Sequence, residues 1–229
     1  TFGSETTARV AAAWNPAEFA TLRASWGEGF KAPTIFQSTY FCCGATQPNA
    51  DLAAETSTGW DIGTDLRGGR GSVSLTWFSQ DIENLITFDF GVGGYANIAL
   101  AETRGLELAG ALTLTDWLGF STGWSWIEAQ DGTGNRLLRV PETSGDISLD
   151  LTAGEKLAGS VLLRHSGEIE DSTGPVDAWT RIDLTGQYAL NDTIELYGRI
   201  ENLFDTDYQQ LLGYGTPGLS GSAGIRVRL

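Results

Sequence analysis

The sequence is poor in the residues that most often build metal and catalytic sites. Among its 229 residues there is one histidine, there are two cysteines, and methionine is absent. His165 has no second histidine with which to share a zinc ion, and no nucleophile stands with a base to form a triad. We expect His165 to form hydrogen bonds near the end of a strand. Acidic pairs such as Asp81 with Glu83 alternate along one wet strand face and are interpreted as solvated groups. We therefore expect no enzyme activity, no metal site and no cofactor.

Basic residues are also scarce. The chain has 14 lysines and arginines against 29 aspartates and glutamates, a formal net charge of −15. Binding to phosphate backbones requires clustered basic side chains, so nucleic acid is excluded as a partner. The acidic surplus is interpreted first as a solvated surface that keeps the aqueous parts of the protein soluble.

Long apolar runs are absent. No segment approaches the roughly 18 uninterrupted apolar residues of a membrane-spanning helix, so this chain can enter a bilayer only as β-strands. Nothing near Thr1 combines a basic segment with a following apolar one, as a signal peptide would. We expect a chain that is mature, processed or cut from a longer protein.

Glycine and aromatic residues are abundant, with 30 glycines and 8 tryptophans. Such a composition suits many tight turns and the aromatic belts of membrane barrels. Residues 194–201 show the pattern between the turns, because apolar and charged side chains alternate there. One face of the strand would carry Ile194, Leu196 and Ile200, and the opposite face would carry Glu195, Arg199 and Glu201.

The same alternation, bounded by turn signals, predicts eleven antiparallel strands. Short links such as Asn15-Pro16-Ala17, 68–71 and 153–156 alternate with long ones, as in bacterial transmembrane barrels. The long connections are expected near residues 29–53, 84–100, 129–141, 167–177 and 204–217. The strands are predicted at 6–14, 18–28, 54–67, 72–83, 102–114, 118–128, 142–152, 157–166, 178–189, 193–203 and 218–229.

Each predicted strand has one apolar and one polar face. Leu75 and Trp77 share the apolar parity of their strand, whereas Asp61 and Asp65 share the polar parity of theirs. A soluble sandwich would also alternate, but strands of about 9 to 11 residues are long enough to cross a bilayer with tilt. The sequence thus predicts an all-β fold, an antiparallel transmembrane β-barrel.

The end of the chain resembles the closing signature of the TonB-dependent outer-membrane receptors, the plugged transporters of siderophores, cobalamin and similar scarce ligands. The resemblance rests on residues in a long turn between two amphipathic strands. They are Asn202, Leu203, Phe204, Asp205, Tyr208, Gly213, Tyr214, Pro217 and Gly218.

Three further segments are similar to motifs of this family, in the family's order. They are GFKAPT at 29–34 followed by NADLAAET at 49–56, YANI at 95–98 followed by TRGLE at 103–107, and RVP at 139–141. The chain departs from the usual residues at Asn49-Ala50, at Ala53-Ala54-Glu55, at Leu219 and at Leu229, where the family commonly ends in an aromatic residue.

The resemblance implies a location in the outer membrane of a Gram-negative bacterium. Eleven strands is an odd number and half of the 22-stranded plugged barrel, so residues 1–229 are expected to be the C-terminal part of such a barrel. The plug domain and the N-terminal strands would lie outside this chain. The alternatives are a passive porin-like channel and an adhesion or structural barrel that transports nothing.

The resemblance also implies partners for the complete protein. They are outer-membrane lipid and lipopolysaccharide, the missing barrel half and plug, TonB acting through the plug, and a small-molecule ligand. Divalent cations bridging acidic side chains to lipopolysaccharide are a less favoured interpretation of the charge, since no EF-hand spacing is present.

The loop near residues 29–53 is the first candidate for ligand contact. Tyr40 and Phe41 precede two adjacent cysteines, Cys42 and Cys43. The cysteines could form a disulfide between neighbouring residues, or they could be free or intermolecularly paired thiols. Both interpretations remain open from the sequence.

A second candidate is the glycine-rich segment near residues 84–100. Phe88, Asp89, Phe90 and Tyr95 lie there, beside glycines that would let a loop rearrange. Aromatic rings can stack on an iron chelate or a corrinoid, although they would equally serve a hydrophobic glycan or a phage protein.

Overall fold

The computed structural model describes residues 6–45 and 47–228. Strands dominate the fold, and one short helix, α1, interrupts them. The elements in chain order are β1 Arg9–Ala17, β2 Ala20–Lys31, α1 Ile35–Thr39, β3 Glu55–Gly68, β4 Gly71–Asp89, β5 Gly94–Thr115, β6 Leu118–Asp131, β7 Thr143–Ala153, β8 Leu157–Ser166, β9 Ile169–Asp171, β10 Gly174–Val176, β11 Trp179–Ala189, β12 Ile194–Glu201 and β13 Ser220–Val227.

Eleven of these strands form one antiparallel meander, in the order β1-β2-β3-β4-β5-β6-β7-β8-β11-β12-β13. The predicted strand number is therefore confirmed. β9 and β10 form a separate small hairpin within the connection between β8 and β11. The sheet is open, with β1 and β13 at its edges, and Leu229, predicted to end the last strand, lies outside the described residues.

The first predicted turn is wrong. Asn15, Pro16 and Ala17 belong to β1, and the chain turns immediately after them. The pairing with β2 shifts register between Trp14 and Ala17, which marks a β-bulge. Proline is tolerated at a bulge because the ladder of hydrogen bonds is interrupted there.

The long connection predicted near 84–100 is also wrong. β4 and β5 continue their pairing up to Asp89 and Gly94, so only residues 90–93 form the turn. Phe88 and Tyr95 are consequently strand residues that face each other directly across the ladder. The glycines that suggested a loop build a tight turn on two long strands, with Gly93 at a φ of 67°.

The two faces of the sheet follow the predicted parities. Directly opposed residues share a face, so one row across five strands reads Leu112, Phe120, Leu149, Val161 and Leu184. On the other face Arg23 lies 3.3 Å from a carboxylate oxygen of Asp65 and 3.7 Å from one of Asp61. One face is therefore apolar along most of its length, although it carries the Arg104–Glu128 ion pair towards the loop end, and the other face carries ion pairs such as Arg23 with Asp65.

His165, predicted to form hydrogen bonds near a strand end, lies on the apolar face. Its ring stacks on Trp124 at 5.5 Å across the strand that holds Gly145. Its two nitrogens are 2.8 Å from the hydroxyl of Thr180 and 3.4 Å from that of Thr143. A side chain at Gly145 would meet the Trp124 ring at 2.5 Å, so this glycine makes room for the indole.

The sheet has two distinct ends, which we call the turn end and the loop end. The short links between β1 and β2, β3 and β4, β5 and β6, β7 and β8, and β11 and β12 gather at the turn end, and the other connections gather at the loop end. Several of the buried apolar residues lie beneath the connections of the loop end: Leu52, Ile86, Ile169, Val176 and Tyr208. No helix in the described part of the chain is long and apolar enough to cross a membrane.

Candidate functional site

A short helix starts the connection between β2 and β3. The Thr34 hydroxyl accepts a hydrogen bond from the Gln37 N–H at 3.1 Å, and the Gln37 side chain accepts one from the Thr34 N–H at 2.9 Å. This reciprocal pair is a capping box and starts α1 directly after the GFKAPT segment. Phe36 and Tyr40 then lie one helical turn apart, and their rings stack at 4.9 Å.

Five aromatic rings meet at the loop end, and we call them the aromatic cluster: Phe36, Tyr40, Phe88, Phe90 and Tyr95. Tyr95 packs edge-on against Phe88 at 5.5 Å and against Phe36 at 6.0 Å. Phe88 packs edge-on against Phe90 at 4.9 Å. Edge-to-face and stacked pairs at these separations are favourable, so the cluster is a packed unit.

The aromatic cluster unites four residues that the sequence had assigned to two separate loops. Sequence reasoning missed Phe36, because the helix that carries it was not predicted. The two remaining candidates, Phe41 and Asp89, contact the backbone of the β4–β5 hairpin. Phe41 forms an isolated β-bridge with Gly94, and the Asp89 side chain accepts a hydrogen bond from the Gly91 N–H at 2.7 Å.

The connection between β2 and β3 is fastened to the β4–β5 hairpin by backbone contacts. The Cys42 N–H donates to the Gly93 carbonyl at 2.7 Å, next to the Phe41 bridge. Further along, the Asn49 side chain donates to the Tyr95 carbonyl at 3.1 Å. A Cβ at Gly93 would lie 2.2 Å from the Cys42 carbonyl oxygen, so only glycine permits this approach.

Asn97 of the YANI segment holds three chain segments together. Its side-chain oxygen accepts from the Ala53 N–H at 2.9 Å, while its side-chain nitrogen donates to the Ala53 carbonyl at 3.1 Å and to the Asn84 carbonyl at 2.6 Å. Asn84 has a φ of 57° and marks an irregularity in β4. The family-like segments around 49–56 and 95–98 are thus one hydrogen-bonded unit.

Glu55 joins the same unit to the end of β2. One of its carboxylate oxygens accepts both from Lys31 Nζ at 2.9 Å and from the Ile86 N–H at 2.9 Å. The Glu55 side chain is only 9% exposed. Lys31 of GFKAPT and Glu55 of NADLAAET therefore meet in space.

Cys42 and Cys43 form a disulfide between neighbouring residues. Cys43 has a φ of 60°, and the following Gly44 has a φ of 107°. The Ala45 N–H donates to the Cys42 carbonyl at 3.1 Å, so the disulfide lies within a tight turn against the β4–β5 hairpin.

The closing segment after β12 is organised by Asn202, which is only 1% exposed. Its side chain accepts from the Thr206 N–H and donates to the Thr206 carbonyl, both at 2.9 Å. Its backbone N–H donates to Asp183 at 2.9 Å. Asp205 accepts from the Leu219 N–H at 2.7 Å and thereby fixes where β13 begins.

The other motif residues form the connection between β12 and β13. Tyr208 is buried and accepts a hydrogen bond from Arg181 at 2.6 Å. Arg181 also pairs with Asp183 at 3.1 Å, and the Tyr208 ring packs against Trp179 at 4.6 Å. Gly213 has a φ of 82°, a Cβ at Gly218 would meet Asp205 at 2.5 Å, and Leu203, Phe204, Tyr214 and Pro217 complete the connection.

Asp171 links the remaining three connections. One of its oxygens accepts from Arg139 at 2.9 Å and from the Ser172 N–H at 2.7 Å, and the other accepts from the Leu212 N–H at 3.2 Å. The hydrogen bond from Arg139 and that from Ser172 lower the pKa of Asp171 to about 2. Its charged form therefore holds the β6–β7, β8–β11 and β12–β13 connections together.

The surface offered by the loop end is aromatic. Phe36 is 58% exposed, Phe90 62% and Tyr40 39%, although they pack on one another. Such a surface can stack on flat unsaturated groups and exclude water from them. Within residues 6–45 and 47–228, no group of three or more histidine, cysteine, aspartate and glutamate side chains is placed to hold a metal ion.

The chain matches a known family and known proteins. Residues 1–203 match the family model described as TonB dependent receptor-like, beta-barrel. The vitamin B12 transporter BtuB of Vibrio vulnificus is 28% identical over 215 residues, covering 91% of this chain and 34% of that protein. BtuB of Photobacterium profundum is 28% identical over 218 residues, covering 90% of this chain and 35% of that protein. The chain thus spans about a third of the length of these curated relatives.

Solved structures share the fold. A mutant of the ferric enterobactin receptor PfeA of Pseudomonas aeruginosa, in complex with enterobactin, aligns with a TM-score of 0.80 at 20% identity, covering 96% of this chain and 40% of that one. The copper transporter OprC aligns with a TM-score of 0.80 at 16% identity, covering 96% and 39%. At these identities the likeness shows a common fold and leaves the ligand to be argued separately.

Proposed function

Because the chain belongs to the TonB-dependent receptor family and matches its β-barrel part, we propose that it forms the C-terminal part of an outer-membrane receptor for a scarce ligand. The observation that carries the proposal is the open sheet of eleven strands with one apolar and one ion-paired face. The complete receptor would bind its ligand outside the cell and admit it when TonB acts on the plug.

The open sheet supports the proposal that further strands complete the barrel. β1 and β13 both run from the loop end to the turn end, because the number of strands is odd. Pairing them with each other, or with the edges of a second copy, would require a parallel junction. An odd number of strands from the remaining part of the receptor closes the barrel antiparallel throughout and leaves no edge exposed to lipid.

The orientation follows from the connections. We place the turn end in the periplasm and the loop end outside the cell, as in bacterial barrels with short periplasmic turns. The apolar face then contacts outer-membrane lipid and lipopolysaccharide, and the ion-paired face lines the interior and receives the plug. The family consists of outer-membrane proteins of Gram-negative bacteria, which supports this location for the complete protein.

The aromatic cluster is the proposed contact for the ligand. Its exposed rings suit a metal chelate or corrinoid with flat unsaturated groups, which can stack on them. The names of the relatives are consistent with such ligands, since they include a vitamin B12 transporter and a receptor solved with enterobactin. Tyr40, Phe88, Phe90 and Tyr95 would contribute rings, joined by Phe36, while Phe41 and Asp89 would shape the loop.

Uptake by the complete receptor tests the proposed function. Cells that lack their own receptors would be given labelled cobalamin, ferric enterobactin or copper, with and without TonB. We expect accumulation of one of these ligands only when the receptor and TonB are both present. Equal uptake without TonB would indicate a passive channel, and a lack of uptake for a broad set of chelates would favour an adhesion or structural barrel.

A binding measurement tests the aromatic cluster. Phe90→Ala and Tyr40→Ala remove exposed rings, and each is expected to weaken binding of the transported ligand to cells about fivefold or more, since a stacking contact is worth about 1 kcal/mol. Tyr214→Ala is the matched control, because Tyr214 is an exposed loop tyrosine outside the cluster. Unchanged binding in both cluster variants would remove the cluster from the site.

A further inference from the structure

We propose that the Cys42–Cys43 disulfide is a thiol-exchange site whose reduction releases the β2–β3 connection from the β4–β5 hairpin. The inference goes beyond the proposed transport function, since it concerns the covalent state of one loop and can be measured without a ligand. It rests on the position of the disulfide between an accessible surface and a docked backbone.

The disulfide can be reached from solvent. Cys43 is exposed, and Cys42 is half-buried against the hairpin. A small thiol compound can therefore reach Cys43 from solvent. Both cysteines of the chain are in this one bond, so no other cysteine of the chain competes in the exchange.

The disulfide also constrains the backbone that docks the loop. Cys43 is held at a φ of 60°, which side chains with a Cβ rarely adopt. The preceding residue makes both contacts of the turn: the Cys42 N–H donates to the Gly93 carbonyl at 2.7 Å, and the Cys42 carbonyl accepts from the Ala45 N–H at 3.1 Å. Once the disulfide is reduced, Cys43 is free to leave the left-handed region of backbone conformation. The two hydrogen bonds of Cys42 are then weakened, because the conformation that places both of them is no longer enforced.

The chemistry is ordinary thiol–disulfide exchange with an external thiol as reductant. A thiolate attacks one sulfur of the pair, which breaks the S–S bond, forms a mixed disulfide and leaves the other cysteine as a thiolate. A second thiol displaces the mixed disulfide, so the products are two protein thiols and one oxidised disulfide of the reagent. Two electrons pass from the reagent to the protein.

The consequence reaches the aromatic cluster through the chain. Tyr40 precedes the bridge between Phe41 and Gly94 by one residue, and its ring contacts Phe88 at a centroid distance of 6.0 Å. Loss of the backbone contacts at residues 41–42 therefore loosens Phe36 and Tyr40 from the rings of the β4–β5 hairpin. The reduced loop is more mobile than the oxidised loop.

Hydrogen exchange on the complete receptor tests the inference. The receptor would be compared before and after treatment with dithiothreitol, with alkylation and mass measurement of the peptide that holds Cys42 and Cys43. We expect no alkylation before reduction, two alkylated thiols after it, and about tenfold faster exchange of the Cys42 amide, since a left-handed residue with a Cβ is disfavoured by roughly that factor. Peptides covering the β9–β10 hairpin are the internal control and should not change.

The double variant Cys42→Ser with Cys43→Ser separates the disulfide from other effects of the reductant. Its loop should exchange as fast as that of the reduced receptor, with and without dithiothreitol. The inference is overturned if both thiols are alkylated before reduction, if the bond resists the reductant, or if exchange of the Cys42 amide is the same in all three forms.

Discussion

Replacing Asn202 by alanine should release the connection between β12 and β13. The side chain is buried and makes two hydrogen bonds of 2.9 Å to the backbone of Thr206. Loss of these bonds leaves a donor and an acceptor of Thr206 without partners, which costs about 3 kcal/mol. Asn202 also has a φ of 54°, which costs alanine about 1 kcal/mol more than asparagine.

The total of about 4 kcal/mol corresponds to about a thousandfold increase in the open population of this connection. Asn202→Gly separates the two contributions, because glycine adopts the positive φ freely and loses only the hydrogen bonds. It should therefore open the connection about 150-fold more often than the wild type, about fivefold less often than Asn202→Ala.

Limited proteolysis of the complete receptor in outer-membrane vesicles measures this opening. Cleavage within residues 203–219 follows the open population when the loop closes faster than the protease cuts. Asn191→Ala is the control, since this exposed turn asparagine accepts from Thr193 and Ile194 and water can replace it. Cleavage rates within about twofold of the wild type for both Asn202 variants would refute the reasoning.

Three further predictions follow from single contacts. Asp171 has a pKa lowered to about 2, so its contribution to stability is complete above about pH 4 and is lost as pH falls towards 2. The protection of residues 132–142 against hydrogen exchange, corrected for the intrinsic exchange rate at each pH, should fall there, and Asp171→Asn should lower that protection at neutral pH. Gly145→Ala should lower the temperature at which the receptor loses its heat-resistant gel mobility, at a cost of about 1 to 3 kcal/mol, whereas Gly186→Ala, with open space at its Cβ, should not. Glu55→Ala should cost about 2 kcal/mol by leaving the Ile86 N–H unpaired, and Glu55→Gln clearly less, as compared by urea unfolding; equal losses would contradict the hydrogen bond.

The strands of the sheet could be predicted because their signals are local. Apolar parity, as in Leu75 and Trp77, and short polar or glycine links suffice to fix both the face and the number of strands. Errors arose where a local signal had a different cause. Pro16 suggested a turn but lies at a bulge of β1, and the glycines after Asp89 suggested a loop but build a tight turn.

The candidate site could be predicted only in part, because its contacts join distant residues. The sequence marked Tyr40 and Phe88 but had no means of showing that their rings meet. Asn97 binds Ala53 across 44 positions, which no local pattern records. The Thr34–Gln37 capping box was a usable signal for α1, and with it the position of Phe36 could have been found.

Cysteine labelling on intact cells tests most directly whether this chain crosses the outer membrane as described. In the background of Cys42→Ser with Cys43→Ser, Val92→Cys places a thiol at the tip of the β4–β5 hairpin, and Gly69→Cys places one in the turn between β3 and β4. A maleimide on a polymer too large for porins should label Val92→Cys in intact cells and Gly69→Cys only after the outer membrane is permeabilised. Equal labelling of both positions in intact cells, or labelling of Gly69→Cys alone, would contradict the account.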